Sequence, residues 1–87
     1  MKPYLTPRQL EVVRLVSLGC TNDEAASILG LSPATIDNHK TSAMRALGTD
    51  KAVLVTRLAL KHRFTSMKDE LTRSEKRKSG RKNDGWN

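Results

Sequence analysis

The apolar residues of this chain recur at helical spacing, and nowhere do they alternate as a half-buried strand would. Leu10, Val13, Leu15 and Val16 give a first helix a broad apolar face. Thr6 before Pro7 marks its start, with a hydroxyl N-cap, proline in the first turn and Gln9 at the capping-box position. Gly19 marks its end. Thr21 with Glu24 is a second capping box and predicts a short helix over 22–29 that buries Ala25, Ala26, Ile28 and Leu29. Gly30 follows as a residue able to take positive φ. Ser32 and Pro33 repeat the cap-and-proline start for a third helix over 33–47, with Ile36, Ala43, Met44 and Leu47 inward and Gly48 at the end. A fourth helix is expected to start at Thr49 or Asp50 and run to Arg63, with Val53, Leu54, Leu58 and Ala59 as candidates for burial. Tyr4 and Phe64 are expected to cover the two ends of the small core.

The pattern changes after residue 65. The stretch "SMKDELTRSEKRKSGRKNDGWN" has only Met67, Leu71 and Trp86 as large apolar residues, against seven Lys/Arg and four acids. Such a segment is expected to bury too little surface to offset its ordering entropy, with helix 4 fraying into it and disorder from Ser79. The expected fold is therefore all-α. Residues 1–65 form a four-helix bundle, and residues 66–87 form a flexible basic C-terminal tail.

Composition narrows the function classes. An 87-residue chain allows one small domain, and 16 Lys+Arg against 9 Asp+Glu give a net charge of +7. Nucleic acid is the usual partner of such a balance, with an anionic membrane or an acidic protein as the other options. No apolar run reaches the roughly 18 residues of a membrane span, and "MKPYLTPRQLEVV" has no signal-peptide h-region. Cys20 is the single cysteine, so an internal disulfide is impossible, and a cytoplasmic location is expected. Cys20, His39 and His62 are too scattered for zinc, so no metal is expected. Without a nucleophile–base pair, a paired-carboxylate pocket or a phosphate-cradling glycine loop, neither enzyme activity, a small-molecule substrate nor a cofactor is expected.

The chemistry-bearing pattern is a short helix, a "GLS" turn and a second capped helix, which is a helix-turn-helix signature. A second helix of this kind can enter a DNA major groove with its first turns, while its unpaired N–H groups and positive dipole end attract phosphates. With Ile36 and Ala43 inward, Ala34, Asp37, Asn38, Lys40 and Thr41 face outward. Asn38 ranks first as a base reader, because its amide can pair with adenine N6 and N7. Asp37 has three readings: it accepts from cytosine N4, it orients Lys40 or Thr41, or it is simply an acid favoured near a helix N-terminus. Thr21, Ser32 and Thr35 sit near the DNA backbone, although capping competes for Thr21 and Ser32. His39 is either a packing residue or a phosphate contact, and Arg45 adds a cation further along. The basic tail could track phosphates, enter a minor groove as a flexible arm, or serve only as a solubilising end, and Trp86 within it could dock on a partner or remain solvated.

The run "LTPRQLEVVRLVSLGCTNDEAASILGLSPATIDNHKTSAMRALG" resembles the DNA-binding domain of the LuxR family of bacterial transcription regulators. Residues 5–64 follow that pattern without insertions, with Thr6, Arg8, Glu11, Gly19, Thr21, Asn22, Glu24, Ser32, Thr35, His39, Leu47 and Gly48 among the matching positions. Bacterial sigma-factor DNA-binding domains are similar over a shorter stretch, but favour arginines where this chain has Asp37, Asn38 and Thr41. The LuxR resemblance implies sequence-specific binding of double-stranded DNA and regulation of transcription, with helix 3 as recognition helix. It also implies a homodimer through helix 4, where Val53, Leu54, Arg57, Leu58 and Lys61 would form the interface. RNA polymerase or another regulator is a further partner class. The chain departs from the family at Asp23, Asp37 and Ala46, where lysine is common, and at Arg63, where the family has glycine. The lost positive charge leaves an alternative open: a protein-interaction module that keeps the fold and no longer binds DNA.

Overall fold

Five helices follow one another in the computed structural model, which describes residues 2–82: α1 (Pro7–Ser17), α2 (Asn22–Leu29), α3 (Pro33–Leu47), α4 (Ala52–Lys61) and α5 (Arg73–Ser79). Three of them begin with a complete capping box. The Thr6, Thr21 and Thr72 hydroxyls accept from the N–H groups of Gln9, Glu24 and Glu75, whose side chains accept in return from the three cap N–H groups. Each box satisfies two donors that the first helical turn would otherwise leave unpaired. α4 starts differently. It begins at Ala52 behind Lys51, with no side-chain cap, so neither Thr49 nor Asp50 starts it. Thr49 instead accepts from the Lys51 N–H at 3.0 Å and shapes the turn before the helix.

Helix ends share one device. After α1, α3 and α4 the chain turns through a left-handed residue, and two N–H groups reach back to the last carbonyls. At α4 these bonds are Arg63 N–H to Leu60 O at 3.1 Å and Phe64 N–H to Ala59 O at 2.8 Å. The turning residue is Gly19 after α1 and Gly48 after α3, but Arg63 after α4, at φ +61°. Only there does a side chain carry the left-handed conformation, which costs an L-residue about 1–2 kcal/mol.

α1 stands between two buried clusters. Val12, Leu15 and Leu18 face one with Ala25, Ala26 and Ile28 of α2 and Ile36 of α3; Val13 faces the other with Leu5, Ala43, Leu47, Val55 and Ala59. α3 also spans both, through Ile36 at one end and Ala43 and Leu47 at the other. Three expected core positions are corrected. Val53 is 78% exposed and Leu54 is also outward, because Val55 and Ala59, one turn apart, set the inner face of α4. Tyr4 is 78% exposed as well, and its neighbour Leu5 fills that end of the core; Phe64 does pack against the second cluster.

The largest difference from the sequence reading lies in residues 66–82. Instead of a fraying polar tail, they form a connecting segment and α5, which packs along α2. Leu71 is 2% exposed and belongs to the first cluster. The anchor is Arg14 of α1. Its guanidinium donates to Asp69 at 2.9 and 3.4 Å, to Glu75 at 2.7 Å and to the Glu70 carbonyl at 2.9 Å. One apolar side chain and a four-bond cation thus anchor a segment whose composition alone argued for disorder. Beyond α5, Arg81 turns inward, with Nε 3.2 Å from Glu24 and Nη1 donating to the Leu18 carbonyl at 3.0 Å. The two capping glutamates are used alike: one oxygen closes the local box, and the other meets a distant arginine.

Two predictions follow from this arrangement. Arg63→Gly should stabilise the fold by about 0.5–1 kcal/mol in urea denaturation, since relieved strain exceeds the added unfolded-state entropy of glycine. Burial pushes the Glu75 carboxyl up, but the Arg14 hydrogen bond and the Thr72 N–H outweigh it and hold it below its ordinary value of 4.5. A depressed carboxyl stabilises the fold above its unfolded value and loses that contribution as pH falls through its folded value. Amide exchange in α5 should therefore speed up below about pH 4.5 in the native chain, relative to exchange in α3. In Glu75→Gln, which keeps the cap and loses the charge, α5 should exchange faster already at pH 7 and show less of this acid loss.

Candidate nucleic-acid interface

The geometry of α2 and α3 is set by the turn between them. Gly30 takes φ +69°, and the Leu31 N–H reaches back to the Ala26 carbonyl at 3.0 Å, so the chain reverses within Gly30–Leu31–Ser32. Ser32 then caps α3 by accepting from the Thr35 N–H at 3.1 Å, and the two hydroxyls lie 2.9 Å apart. Ala25, 1% exposed, allows the close approach of the two helices that a small residue permits. Ile36 is fully buried beneath the first turns of α3 and fixes its rotation. With Ile36 inward, Ala34, Asp37, Asn38, Thr41 and Arg45 are exposed, while Thr35, His39 and Lys40 are half-buried. Asn38, Asp37, Thr41, Lys40 and Arg45 thus belong to one helix with a solvent-facing side. Thr21 sits at the start of α2, Ser32 and Thr35 at the start of α3, and the Thr21 and Ser32 oxygens are engaged in capping.

A residue that the sequence reading left outside the site joins its parts. Asn22, the first residue of α2, accepts from the Lys40 ammonium at 3.2 Å and donates to Asp37 at 3.5 Å. Asp37 is thereby linked to Lys40 through Asn22. The sequence signal for this was slight: a short amide directly after the Thr21 cap, at the end of α2 that lies beside the second turn of α3. The relay ties the start of α2 to the outward side of α3.

On α4, Val53, Leu54, Arg57 and Lys61 are exposed and Leu58 is half-buried. Leu54, Arg57, Leu58 and Lys61 line a shallow groove with Leu47, Gly48 and Thr49 at the end of α3. Trp86 lies outside the described residues. Among the described residues, no group of three or more His, Cys, Asp or Glu could hold a metal ion, and no helix is long and apolar enough to cross a membrane. Burial pushes the Cys20 thiol up, against the opposing charge of Arg81.

Residues 3–59 match the family model described as bacterial regulatory proteins, luxR family. The chain is 34% identical over 62 residues to the transcriptional regulatory protein MctR of Rhizobium johnstonii, covering 71% of this chain and 29% of that protein. It is 33% identical over 57 residues to the uncharacterized response regulatory protein YgeK of Escherichia coli, covering 66% and 39%. It is 45% identical over 47 residues to the spore germination protein GerE of Bacillus subtilis, covering 54% and 64%. The chain thus spans less than two thirds of the length of each of these relatives. No solved structure matches it significantly. The matched region ends within α4, so α5 lies wholly outside it.

If Asn22 acts as a bridge and not as a packing residue, Asn22→Ala should change unfolding stability by less than about 0.5 kcal/mol, the usual range for surface substitutions. Side-chain relaxation measured by NMR should nevertheless show Lys40 becoming more mobile.

Proposed function

Since this chain belongs to the luxR family of bacterial regulatory proteins, we propose that it binds specific double-stranded DNA sites and regulates transcription from them. The observation that carries this reading is α3 itself. It has a buried Ile36 on one side, a capped start and an outward row of hydrogen-bonding side chains beginning at Asp37. In the proposed complex α3 lies in the major groove, and α2 crosses the phosphate backbone with its N-terminal end. Asn38 reads a base through its amide, with Thr41 and Arg45 further along the groove. Thr35, His39 and the helix starts at Thr21 and Ser32 lie against the backbone. Lys40, steered by Asn22 and Asp37, approaches a phosphate or a base edge.

The dimer proposed for α4 rests on its exposed apolar and basic side. Val53 and Leu54 are outward, and the groove that Leu54 shares with Leu58, Arg57 and Lys61 could receive the same helix of a second copy. Two copies would then read half-sites near one helical turn apart, as a symmetric pair or a direct repeat.

The test is fluorescence anisotropy of labelled duplex DNA over a salt series, followed by selection of preferred sequences. Binding of random duplex in the range of about 10⁻⁴–10⁻⁶ M, weakening linearly in log salt, is expected. Absence of binding at low salt would sink the reading and turn attention to protein partners. On a selected site, Asn38→Ala should lose about 1–3 kcal/mol and relax the preference at one base position. Equal losses on unrelated sequences would rule out base reading by Asn38.

A further inference from the structure

The proposed DNA surface of α2 and α3 carries little net charge of its own. Lys40 and Arg45 supply two cations, and Asp23 and Asp37, both exposed, supply two acids. Phosphate attraction normally dominates the affinity of DNA-binding domains, so the positive charge has to come from elsewhere. The fold places a source beside this surface. In the 66–82 segment the acids Asp69 and Glu75 turn inward to Arg14, while Arg73, Arg77, Lys78 and Lys82 remain exposed. None of these four cations takes part in an ion pair among the described residues. Two of the segment's three acids are thus turned toward α1, while Glu70 and these four cations face solvent.

The position of this segment is equally defined. α5 packs along α2, and Arg81 holds its C-terminal end to Glu24. The other oxygen of Glu24 accepts from the Thr21 N–H at 2.9 Å, so Arg81 reaches the first turn of α2. That same turn carries Asn22, the residue bonded to Asp37 and Lys40 of α3. Lys82 directly follows Arg81, and Lys78 lies one turn back. The basic end of α5 therefore borders the helix end proposed to meet the phosphate backbone.

We propose that α5 is a second DNA-contacting element: a docked basic helix whose Arg77, Lys78 and Lys82, with Arg73 behind them, bind phosphates flanking the groove that α3 occupies. The contact reads no bases. It widens the footprint by a few phosphates on one side of each half-site and restores the attraction that Asp23 and Asp37 remove. This inference rests on the DNA-binding reading and adds to it an element outside the family-matched region.

The experiment compares the full chain with a variant carrying Arg73→Gln, Arg77→Gln, Lys78→Gln and Lys82→Gln. Glutamine keeps the helix propensity, and thermal unfolding checks that α5 stays docked. Both proteins are titrated against one selected duplex over a salt series, and the phosphates engaged are mapped by ethylation interference. For every phosphate no longer neutralised, the log–log salt slope should fall by about 0.9. The variant is expected to engage at least two phosphates fewer, to bind at least tenfold more weakly at low salt, and to keep its sequence preference. Interference at flanking phosphates should disappear while that beside the α3 site remains. A salt slope and interference pattern identical to those of the native chain would overturn the proposal and leave the DNA-binding reading intact. Failure of the native chain to bind any duplex at low salt would overturn both.

Discussion

Val12 and Val13 are adjacent on α1, and each is buried in a different cluster. That constraint governs the rest of the molecule. A helix with two buried sides cannot slide or rotate without emptying one of them, so α1 is the fixed post of the fold. α3 lies across both clusters and inherits the same restriction, with Ile36 and Ala43 fully buried at separate points along its length. The outward row from Asp37 to Arg45 is therefore presented by a helix that packing holds at two places. Precision at a binding surface requires such support, because a side chain reads a partner only as well as its backbone is held.

Charge is organised around that frame by two arginines. Arg14 is partly buried, and its hydrogen bonds, foremost that to Glu75, raise its pKa further above an already high ordinary value. It stays cationic throughout, which is why removing its carboxylate partners would leave a poorly solvated charge. Arg81 works at the opposite end of the segment, bonding to the Leu18 and Gly19 carbonyls of the turn that follows α1 and to the first turn of α2. The C-terminal end of a helix carries partial negative charge, so a guanidinium beside the end of α1 is also favoured electrostatically. Between them the arginines fasten residues 66–82 to the helices that matter for the surface.

The starts of α1, α2 and α3 were legible because caps are local: Thr6, Thr21 and Ser32 each bond a backbone N–H three residues away. The turn at Gly30 was legible for the same reason. α4 misled at both ends, since Lys51 offers no cap and Arg63 stands where a glycine would have marked the stop. Val53 and Leu54 looked buried because apolar residues occupy more than one side of α4, and periodicity alone does not say which side meets the core. α5 was the main omission. Its Thr72 and Glu75 form a readable capping box, but its docking rests on Arg14, 61 residues from Glu75. Distances of that kind leave no trace in local pattern. Asn22 was missed likewise, as its partners at 37 and 40 are neighbours only after α2 and α3 fold together.

The divided use of the capping glutamates has a consequence for how the chain assembles. A seven-residue helix is far too short to persist alone in water, since nucleation is unfavourable and few bonds follow it. Glu75 closes the first turn of α5 with one oxygen and holds Arg14 with the other, so forming the helix and docking it are a single cooperative event. The same holds in reverse at Glu24, where Arg81 reinforces the start of α2. Residues 66–82, which leave the ribosome after the other four helices, are therefore built as a keystone: they take shape only against a finished arch, and once seated they tighten the stones already laid.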